Sequence, residues 1–295
     1  MNPLLERLTD GEVLVGDGAM GTMLLARGLE SGASPESFSL NRPEVLQEIA
    51  RLYLEAGADI IQTNTFGGCP LKLAMYGLDD QAEEINRAAA AAVRSAVNDR
   101  ALVSGSCGPS GAMLKPYGDT EPEEMYSAFR RQMEALIGAG VDVICIETMI
   151  AAEEAALAIK AAKDVKGDIP VMATMTFDAT PRGYFTIMGV TVEQAAAELI
   201  NAGADVIGSN CGNGSAPMIK IARLFRASTD RPLLIQPNAG LPETRDGELI
   251  YSETPEFMAE KARELIAAGV SIIGGCCGTT PEHIRALRET VDSMK

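Results

Sequence analysis

Three cysteines lie beside glycines in two separated stretches of the chain. Cys211 lies in GSNCG, and Cys276 and Cys277 lie in GGCCG. Three thiolates and an open fourth position suit tetrahedral Zn²⁺ in a catalytic site rather than a structural one. Zinc coordination deprotonates a thiol whose free pKa is about 8.5, so a substrate thiol entering as the fourth sulfur becomes a nucleophile. The sequence therefore predicts a zinc site that activates a thiol.

The charge of this donor set favours alkyl transfer. Four thiolates around Zn²⁺ carry a net negative charge, which keeps electron density on sulfur and favours attack on a methyl group. Zinc sites rich in histidine instead polarise carbonyls or activate water. The chain has a single histidine, His283, which we expect at a solvated surface position at the start of the last helix. We predict Cys211, Cys276 and Cys277 as metal ligands and catalytic residues.

Burial in the core is the alternative for every cysteine, because cysteine is among the residues most often fully buried. We expect it for Cys145, which lies inside a β-branched run, while Cys69 and Cys107 follow strands and have no need to bind metal. A redox pair of Cys276 and Cys277 is disfavoured, since a disulfide between adjacent residues strains the linking peptide.

Adjacent residues of a regular strand face opposite ways, so Cys276 and Cys277 can share one ion only if the backbone leaves β geometry there. The flanking Gly274, Gly275 and Gly278 permit that departure. Glycine is thus part of the predicted site.

A repeated pattern predicts the elements that position these cysteines. A helical segment ends in Ala-Gly and a β-branched run follows, in AGADIIQTN, AGVDVICIET, AGADVIGSNC and AGVSIIGGCC. Each glycine suits a helix C-cap, and each run suits a strand covered on both faces. Four further strand-type runs lie at 13–18, 101–109, 170–177 and 232–240. Helical patterns lie at 44–56, 81–98, 121–139, 152–165, 191–202, 215–228, 255–268 and 281–293.

Eight strands alternating with eight helices predict an α/β fold, a single-domain (β/α)8 TIM barrel over residues 1–295. A doubly wound sheet is the alternative, but its G-x-G-x-x-G fingerprint is missing after the first strand. Barrel active sites lie at the C-terminal strand ends. We expect insertions over that mouth at 24–43, 116–122, 178–190 and 241–254, and polar or sulfur groups at the strand ends, namely Asp17, Asn64, Cys107, Glu147, Asp178, Cys211, Asn238, Cys276 and Cys277.

Composition narrows the class of partner and compartment. A formal net charge of -16, with 25 basic residues scattered among 41 acidic ones, argues against nucleic-acid binding. No apolar run approaches the ~18 residues of a membrane span, and the N-terminal residues do not resemble a signal peptide. We expect a cytoplasmic protein with reduced thiols and no membrane contact.

Six motifs together resemble the homocysteine S-methyltransferase family, from about residue 10 to the C-terminus. They are DGAMGT (17–22), TNTFG (63–67), SCGP (106–109), IET (146–148), GSNCG (208–212) and GGCCGTTPEHI (274–284). DGAMGT and NTF are particularly similar to the homocysteine-binding barrel of cobalamin-dependent methionine synthase.

The resemblance implies one Zn²⁺ per chain on the three cysteines, binding the sulfur of homocysteine. It implies that Asp17 and Glu147 hold the substrate ammonium, and that the backbone around Gly18, Ala19 and Gly21 receives its carboxylate. Two carboxylates suit a cation, and glycine-rich backbone N–H groups suit an anion. Asn64 and Asn210 are expected to orient these groups.

The resemblance further implies methylation of homocysteine to methionine. In a departure from cobalamin-dependent methionine synthase, we expect a stand-alone barrel that receives the methyl group from a methyl-corrinoid protein, with methyl-cobalamin on that separate partner, or from a methylfolate-linked donor. S-Methylmethionine or betaine is an alternative donor, although the absence of Trp weakens betaine, whose quaternary ammonium favours an aromatic cage. A different acceptor thiol, or a zinc-binding interaction module without activity, also stays open.

Overall fold

Parallel strands close into a barrel with helices outside it, and this confirms the predicted TIM barrel. The computed structural model describes residues 2–30, 32–245 and 248–295. The strands are β1 (Leu14–Val15), β2 (Ile60–Gln62), β3 (Leu102–Cys107), β4 (Val143–Met149), β5 (Val171–Met175), β6 (Asp178–Thr180), β7 (Gly183–Phe185), β8 (Val206–Asn210), β9 (Leu233–Gln236), β10 (Pro242–Arg245), β11 (Glu248–Tyr251) and β12 (Ile272–Ile273). The parallel sheet runs β1-β12-β9-β8-β5-β4-β3-β2, and a parallel bridge between Gly16 and Ile60 joins its two ends.

The helices between the strands begin and end within one residue of their predicted bounds. They are α4 (Pro43–Glu55), α6 (Ala82–Val97), α7 (Pro122–Gly138), α8 (Ala152–Val165), α9 (Val192–Ala202), α10 (Ser215–Ser228), α11 (Pro255–Ala267) and α12 (Pro281–Ser293). Four short helices were not predicted, α1 (Pro3–Thr9), α2 (Met20–Leu25), α3 (Phe38–Asn41) and α5 (Pro70–Ala74), nor were the 3-10 turns Pro35–Ser37 and Asp79–Gln81.

Antiparallel hairpins occupy two of the predicted insertion loops. Strands β6 and β7 pair after the fifth barrel strand, and β10 and β11 pair after the seventh. Residues 246 and 247 of the predicted 241–254 loop lie outside the described residues.

The interior of the barrel is apolar at its N-terminal end. Leu4 of α1 closes that end and packs with one inward side chain from several strands. The buried members of this cluster are Leu4, Leu14, Ile60, Val143, Cys145, Met172, Val206, Leu234 and Ile272. Cys145 is therefore a core residue, as predicted, and α1 seals the end of the barrel opposite the predicted site.

The Ala-Gly repeat has the structure that its sequence predicts. Its glycines have positive φ, for example 99° at Gly57 and 106° at Gly203, directly before a strand. Any other residue would be strained in this left-handed conformation. The repeat thus fixes where each of these helices ends.

The aspartate of the repeat joins neighbouring strands. Asp205 Oδ2 accepts the backbone N–H of Val171 at 2.9 Å and the ammonium of Lys163 at 2.8 Å. Asp59 and Asp142 make the equivalent pair of contacts, to a backbone N–H of the preceding strand and to an arginine. These carboxylates stabilise the N-terminal end of the barrel, away from the cysteines.

We expect Asp205→Ala to lower the free energy of unfolding by about 1–3 kcal/mol, because a buried strand N–H loses its acceptor. Asp205→Asn should cost less, since its amide oxygen still accepts from Val171 and the partly exposed ion pair contributes under about 1 kcal/mol. Urea denaturation measures both variants. Asp168→Ala, at an exposed position, is the matched control, and an equal loss in that control would contradict the assignment.

Candidate active site

The three predicted cysteine ligands meet at one end of a cavity. The Sγ atoms of Cys211, Cys276 and Cys277 all lie within 4.8 Å of one another, and Cys211 and Cys277 are 3.9 Å apart. Zinc bonded tetrahedrally to sulfur at ~2.3 Å requires sulfurs about 3.8 Å apart. The cluster therefore fits Zn²⁺, with only a small contraction needed at its widest edge.

The cysteines converge because the backbone leaves strand geometry at both positions. Strand β12 ends at Ile273, and the N–H of Cys276 donates to the carbonyl of Pro237 at 2.8 Å instead of continuing a ladder. Cys211 directly follows β8 and has a φ of 58°, a left-handed conformation that is uncommon outside glycine. The irregular backbone predicted around Cys276 and Cys277 is present, and the left-handed Cys211 was not foreseen.

The thiols form a mutually hydrogen-bonded cluster. Hydrogen bonds from Cys276 and Cys277 lower the pKa of Cys211 to about 3. Hydrogen bonding to the Cys211 thiolate, with its negative charge as a smaller cause, raises the pKa of Cys277 to about 11 and that of Cys276 well above its usual range. A single anionic sulfur among soft donors is a good match for a thiophilic divalent cation.

A cavity of about 250 Å³ opens beside the cysteines at the C-terminal ends of the strands. Glu147 lies on its wall, and the turn before α2 forms another side. Its lining comprises Gly18, Ala19, Met20, Gly21, Thr22, Pro35, Glu36, Gln62, Thr63, Asn64, Phe66, Ser106, Glu147, Thr148, Cys211, Gln236, Gly275, Cys276 and Cys277. All predicted substrate residues except Asp17 are in this lining, which contains no lysine, arginine or histidine among the described residues.

Glu147 near the end of β4 is held by two neighbouring side chains. Ser106 Oγ donates to its Oε1 at 2.5 Å, and Asn210 Nδ2 lies 3.3 Å from its Oε2. Burial raises the pKa of Glu147 to about 7, and the negative charge of Cys211 adds to the increase. Asn210 Nδ2 also lies 3.8 Å from Cys276 Sγ, so one buried amide connects the carboxylate to the cysteine cluster.

Asp17 lies beneath the cavity rather than in its wall. Its Oδ2 accepts the backbone N–H of Gln62 at 2.8 Å, which helps to join β1 to β2. The carboxylate borders a chamber of about 10 Å³, whose lining shares Gln62 and Gln236 with the cavity above. Burial raises the pKa of Asp17 to about 8, and the charge of Glu147 adds to this increase.

The turn from Gly18 to Gly21 offers fewer free amides than its sequence suggests. The N–H of Ala19 donates to Thr279 Oγ1 at 3.1 Å and is therefore occupied. The first residues of a helix have no intrahelical acceptor for their N–H groups. Met20 and Gly21, at the start of α2, line the cavity, and their N–H groups have no acceptor within the helix and can receive an anion.

Glu36 is a cavity residue that sequence reasoning missed. It is buried, accepts the N–H of Gly67 at 2.7 Å and the hydroxyl of Ser34 at 2.7 Å, and lines the cavity. Asn64 Nδ2 donates to the carbonyl of Pro35 at 2.7 Å, so the two rim loops are joined twice. Glu36 lies in an insertion loop, where no strand end marks it in the sequence.

The prediction of a solvated His283 is wrong. Its side chain is only 7% exposed, its Nδ1 accepts the N–H of Thr280 at 3.1 Å, and its Nε2 lies 3.0 Å from the carbonyl of Glu253. The ring caps α12 and holds the segment after β11, so packing against that segment removes it from solvent. Cys69 and Cys107 are also buried and lie outside the cavity lining.

The amino-acid sequence matches the profile described as homocysteine S-methyltransferase over residues 14–291. The chain belongs to the homocysteine S-methyltransferase family. The predicted class of enzyme, a methyltransferase, is thereby confirmed. Within the described residues, no helix has the length and apolar character to cross a membrane.

Two curated relatives are methionine synthases of mycobacteria. Over 96% of this chain, it is 34% identical to that of Mycobacterium tuberculosis, and over 98% it is 34% identical to that of Mycobacterium leprae. The chain spans about a quarter of the length of these relatives, 25% in each case. Whether the barrel acts alone stays a prediction.

Solved structures of a bacterial homocysteine methyltransferase share the fold. The metallated form of MmuM from Escherichia coli has a TM-score of 0.81 and 25% identity, and the match covers 98% of this chain and 99% of that one. Its apo form has a TM-score of 0.76 at 26% identity, covering 98% of this chain and 100% of the other.

The buried carboxylates predict an unusual pH dependence of stability. Because the folded-state pKa of Asp17 and Glu147 is raised, these two carboxyl groups bind more protons in the folded protein than in the unfolded chain between about pH 4 and pH 8. Without substrate, their contribution to stability should therefore fall as the pH rises from 5 to 8. In Asp17→Asn this fall should be smaller by about 1 kcal/mol or more, measured by urea denaturation at each pH. The effect of pH on metal binding is common to both proteins, so parallel curves would contradict the assignment.

Proposed function

We propose that this chain transfers a methyl group to the thiol of homocysteine to give methionine, using one Zn²⁺ held by Cys211, Cys276 and Cys277. The observation that carries the proposal is the meeting of three sulfurs, from two separated stretches, at the end of a cavity that also contains Glu147. Membership of the homocysteine S-methyltransferase family supports the substrate and the reaction.

The cysteine cluster is the sulfur-binding end of the proposed site. Bound Zn²⁺ would keep the substrate sulfur as a thiolate at neutral pH, where a free thiol is mostly protonated. The three cysteines supply negative charge, so the fourth sulfur stays electron-rich. The thiol proton leaves to solvent on binding, the sulfur lone pair forms the bond to the methyl carbon, and the electron pair of the broken bond stays on the donor.

The amino-acid head of homocysteine is assigned to the polar groups that surround the same cavity beside the cysteine cluster. An ammonium has three N–H donors and seeks several acceptors. Glu147 lies in the wall, Asp17 lies just beneath the floor, and Asn64 lies at the rim, so we assign the ammonium to these residues. Ammonium binding favours the charged form of both carboxylates and offsets the effect of their burial.

The substrate carboxylate is assigned to backbone amides. The described lining contains no basic side chain, so we assign the carboxylate to the backbone around Gly18, Ala19 and Gly21, where the N–H groups of Met20 and Gly21 are candidate donors and that of Ala19 is already bonded to Thr279. Successive backbone N–H groups in a turn favour an anion.

A methyl-corrinoid protein or a methylfolate-linked donor is our first choice for the methyl source. Large apolar side chains are exposed on the segments between the barrel strands and the main helices that follow them, where a partner protein would cover them. These side chains are Leu25, Phe66, Met75, Tyr76, Met113, Tyr117, Ile187, Leu241 and Ile250. Relatives named methionine synthase, which are about four times longer than the matched region, also support a donor carried on another protein unit.

A small cationic donor such as S-methylmethionine is the second candidate. Glu36 and Glu147 line the cavity, and no basic side chain among the described residues opposes them, so a sulfonium would meet favourable charge. Betaine is also positively charged. A small cationic donor of either kind needs no protein partner.

Metal analysis tests the proposed ligands. We expect about one zinc per chain in the wild type, and at least a 10-fold loss of zinc affinity in Cys211→Ser and Cys277→Ser, since each removes a direct ligand. The same variants should lose homocysteine binding in an equilibrium titration, because thiol binding depends on the metal.

Cys69→Ala is the matched control, since it removes a buried cysteine outside the cluster. It should retain zinc and homocysteine binding. Unchanged zinc affinity in both serine variants would overturn the ligand assignment. Failure of the zinc-loaded wild type to bind homocysteine would favour a zinc-binding interaction module without activity or a different acceptor thiol.

Donor assays separate the two methyl sources. With zinc-loaded protein and homocysteine, we expect methionine to form with a methyl-corrinoid or methylfolate-linked donor system and not with S-methylmethionine alone, measured by the appearance of methionine. Turnover with S-methylmethionine in the absence of any partner would overturn the first choice and establish the second.

A further inference from the structure

The loop that carries Cys276 and Cys277 is joined directly to the turn assigned to the amino-acid head. The N–H of Gly275 donates to the carbonyl of Asp17 at 2.9 Å. Thr279 Oγ1 donates to the carbonyl of Cys276 at 2.7 Å and accepts the N–H of Ala19 at 3.1 Å. A single buried hydroxyl therefore connects the backbone of a cysteine ligand to the start of the α2 turn.

Tyr53 makes a second connection from the helical layer. Its hydroxyl, on α4, donates to the carbonyl of Ala19 at 2.8 Å and lies 3.4 Å from the carbonyl of Thr279. Both Tyr53 and Thr279 are fully buried. The hydroxyl is thus placed against the same two loops that Thr279 joins, with no solvent to compete for its bonds.

Two glycines make this close approach possible. A Cβ atom at Gly18 would lie 2.7 Å from Thr279 Oγ1 and 2.9 Å from the ring of Tyr53. A Cβ atom at Gly275 would lie 2.3 Å from Thr279 Oγ1. The backbones at Gly18 and Gly275 therefore pack directly against these hydroxyl groups. The distance between the two loops has little freedom to change.

We propose that Thr279 and Tyr53 are positioning residues that fix the distance between the sulfur-binding and head-binding ends of the site, and so make it select homocysteine over cysteine. The inference rests on the proposed function. Homocysteine must reach both ends at once, and cysteine is one methylene shorter. When the two ends are rigidly joined, cysteine can satisfy only one of them.

Discrimination of a single methylene is typically worth about 10- to 200-fold, and a shift of about 1 Å at a reacting group can cost about 100-fold. A link made of two hydroxyls can therefore determine the selectivity without touching the substrate. Loss of either hydroxyl should loosen the distance, weaken homocysteine binding and affect cysteine binding less.

The test compares the dissociation constants of L-homocysteine and L-cysteine on zinc-loaded protein by titration calorimetry. Thr279→Val keeps the shape of the side chain and removes the hydroxyl, and Tyr53→Phe does the same on α4. We expect the ratio of the two constants to move toward unity by about 10-fold or more in each variant, with zinc content unchanged. Thr279→Ser, which restores the hydroxyl, should keep the wild-type ratio.

Tyr126→Phe is the matched control, because its hydroxyl contacts Asp164 on the outer surface of the helical layer. It should leave the ratio unchanged. If Thr279→Val and Tyr53→Phe both keep the wild-type ratio, or if the wild type does not prefer homocysteine, the positioning role is overturned while the proposed function stands. If the wild type shows no metal-dependent homocysteine binding, the proposed function fails first and this inference fails with it.

Discussion

The site depends on bringing three sulfur atoms together at the ends of two barrel strands. Regular strand geometry does not allow this, so the backbone must depart from it at the cysteines. Side chains of a regular strand alternate between faces, so adjacent cysteines point apart. Here β12 ends at Ile273, three residues before the first cysteine of the pair, and Cys211 has a left-handed backbone directly after β8. Both departures are stabilised by backbone bonds to the segment from the last residue of β9 onward, at Gln236, Pro237 and Ala239. That segment is therefore the common support of both cysteine loops.

Stability and chemistry are separated along the barrel axis. The N-terminal end is closed by Leu4 and tied by aspartates that each serve a strand amide and a basic side chain. The C-terminal end instead contains buried carboxylates without basic partners in the described cavity lining. Such groups weaken the folded state when they ionise, and a bound cation compensates for that effect. The apolar cluster around Leu4 and the hydrogen bonds of the repeat aspartates therefore stabilise the fold at the end away from the site.

The sequence predicts the scaffold well because its signals are local. The four Ala-Gly boundaries each set a helix end by backbone conformation. Helical patterns, several of them opened by proline or an acidic first turn, predicted the other helices, and all eight main helices lie within one residue of their predicted bounds. The cysteine cluster was also predictable, since glycine on both sides of a metal-ligand residue type is a local signal. Whether the cavity residues bind substrate stays a prediction.

Long-range packing sets what the sequence could not predict. Glu36 reaches the cavity because the loop at Pro35 bonds to Asn64, and His283 is buried because the segment at Glu253 crosses it. In both cases the contacting segment is distant in sequence, and the residue type alone does not indicate a buried or cavity-lining position. The occupied amide of Ala19 is a similar case, since its acceptor, Thr279, lies 260 residues away.

The position of Asp17 shows how one residue can serve both scaffold and site. Its carboxylate accepts the amide of Gln62 where β1 meets β2, so it stabilises the closure of the barrel. The same residue lines a small chamber, and two of that chamber's other lining residues, Gln62 and Gln236, also line the cavity. We expect a cation bound in the cavity to interact with Asp17 across this buried layer, where charges are less screened than in water. Such an interaction would couple the charge of a ligand to the closure of the barrel through one buried group.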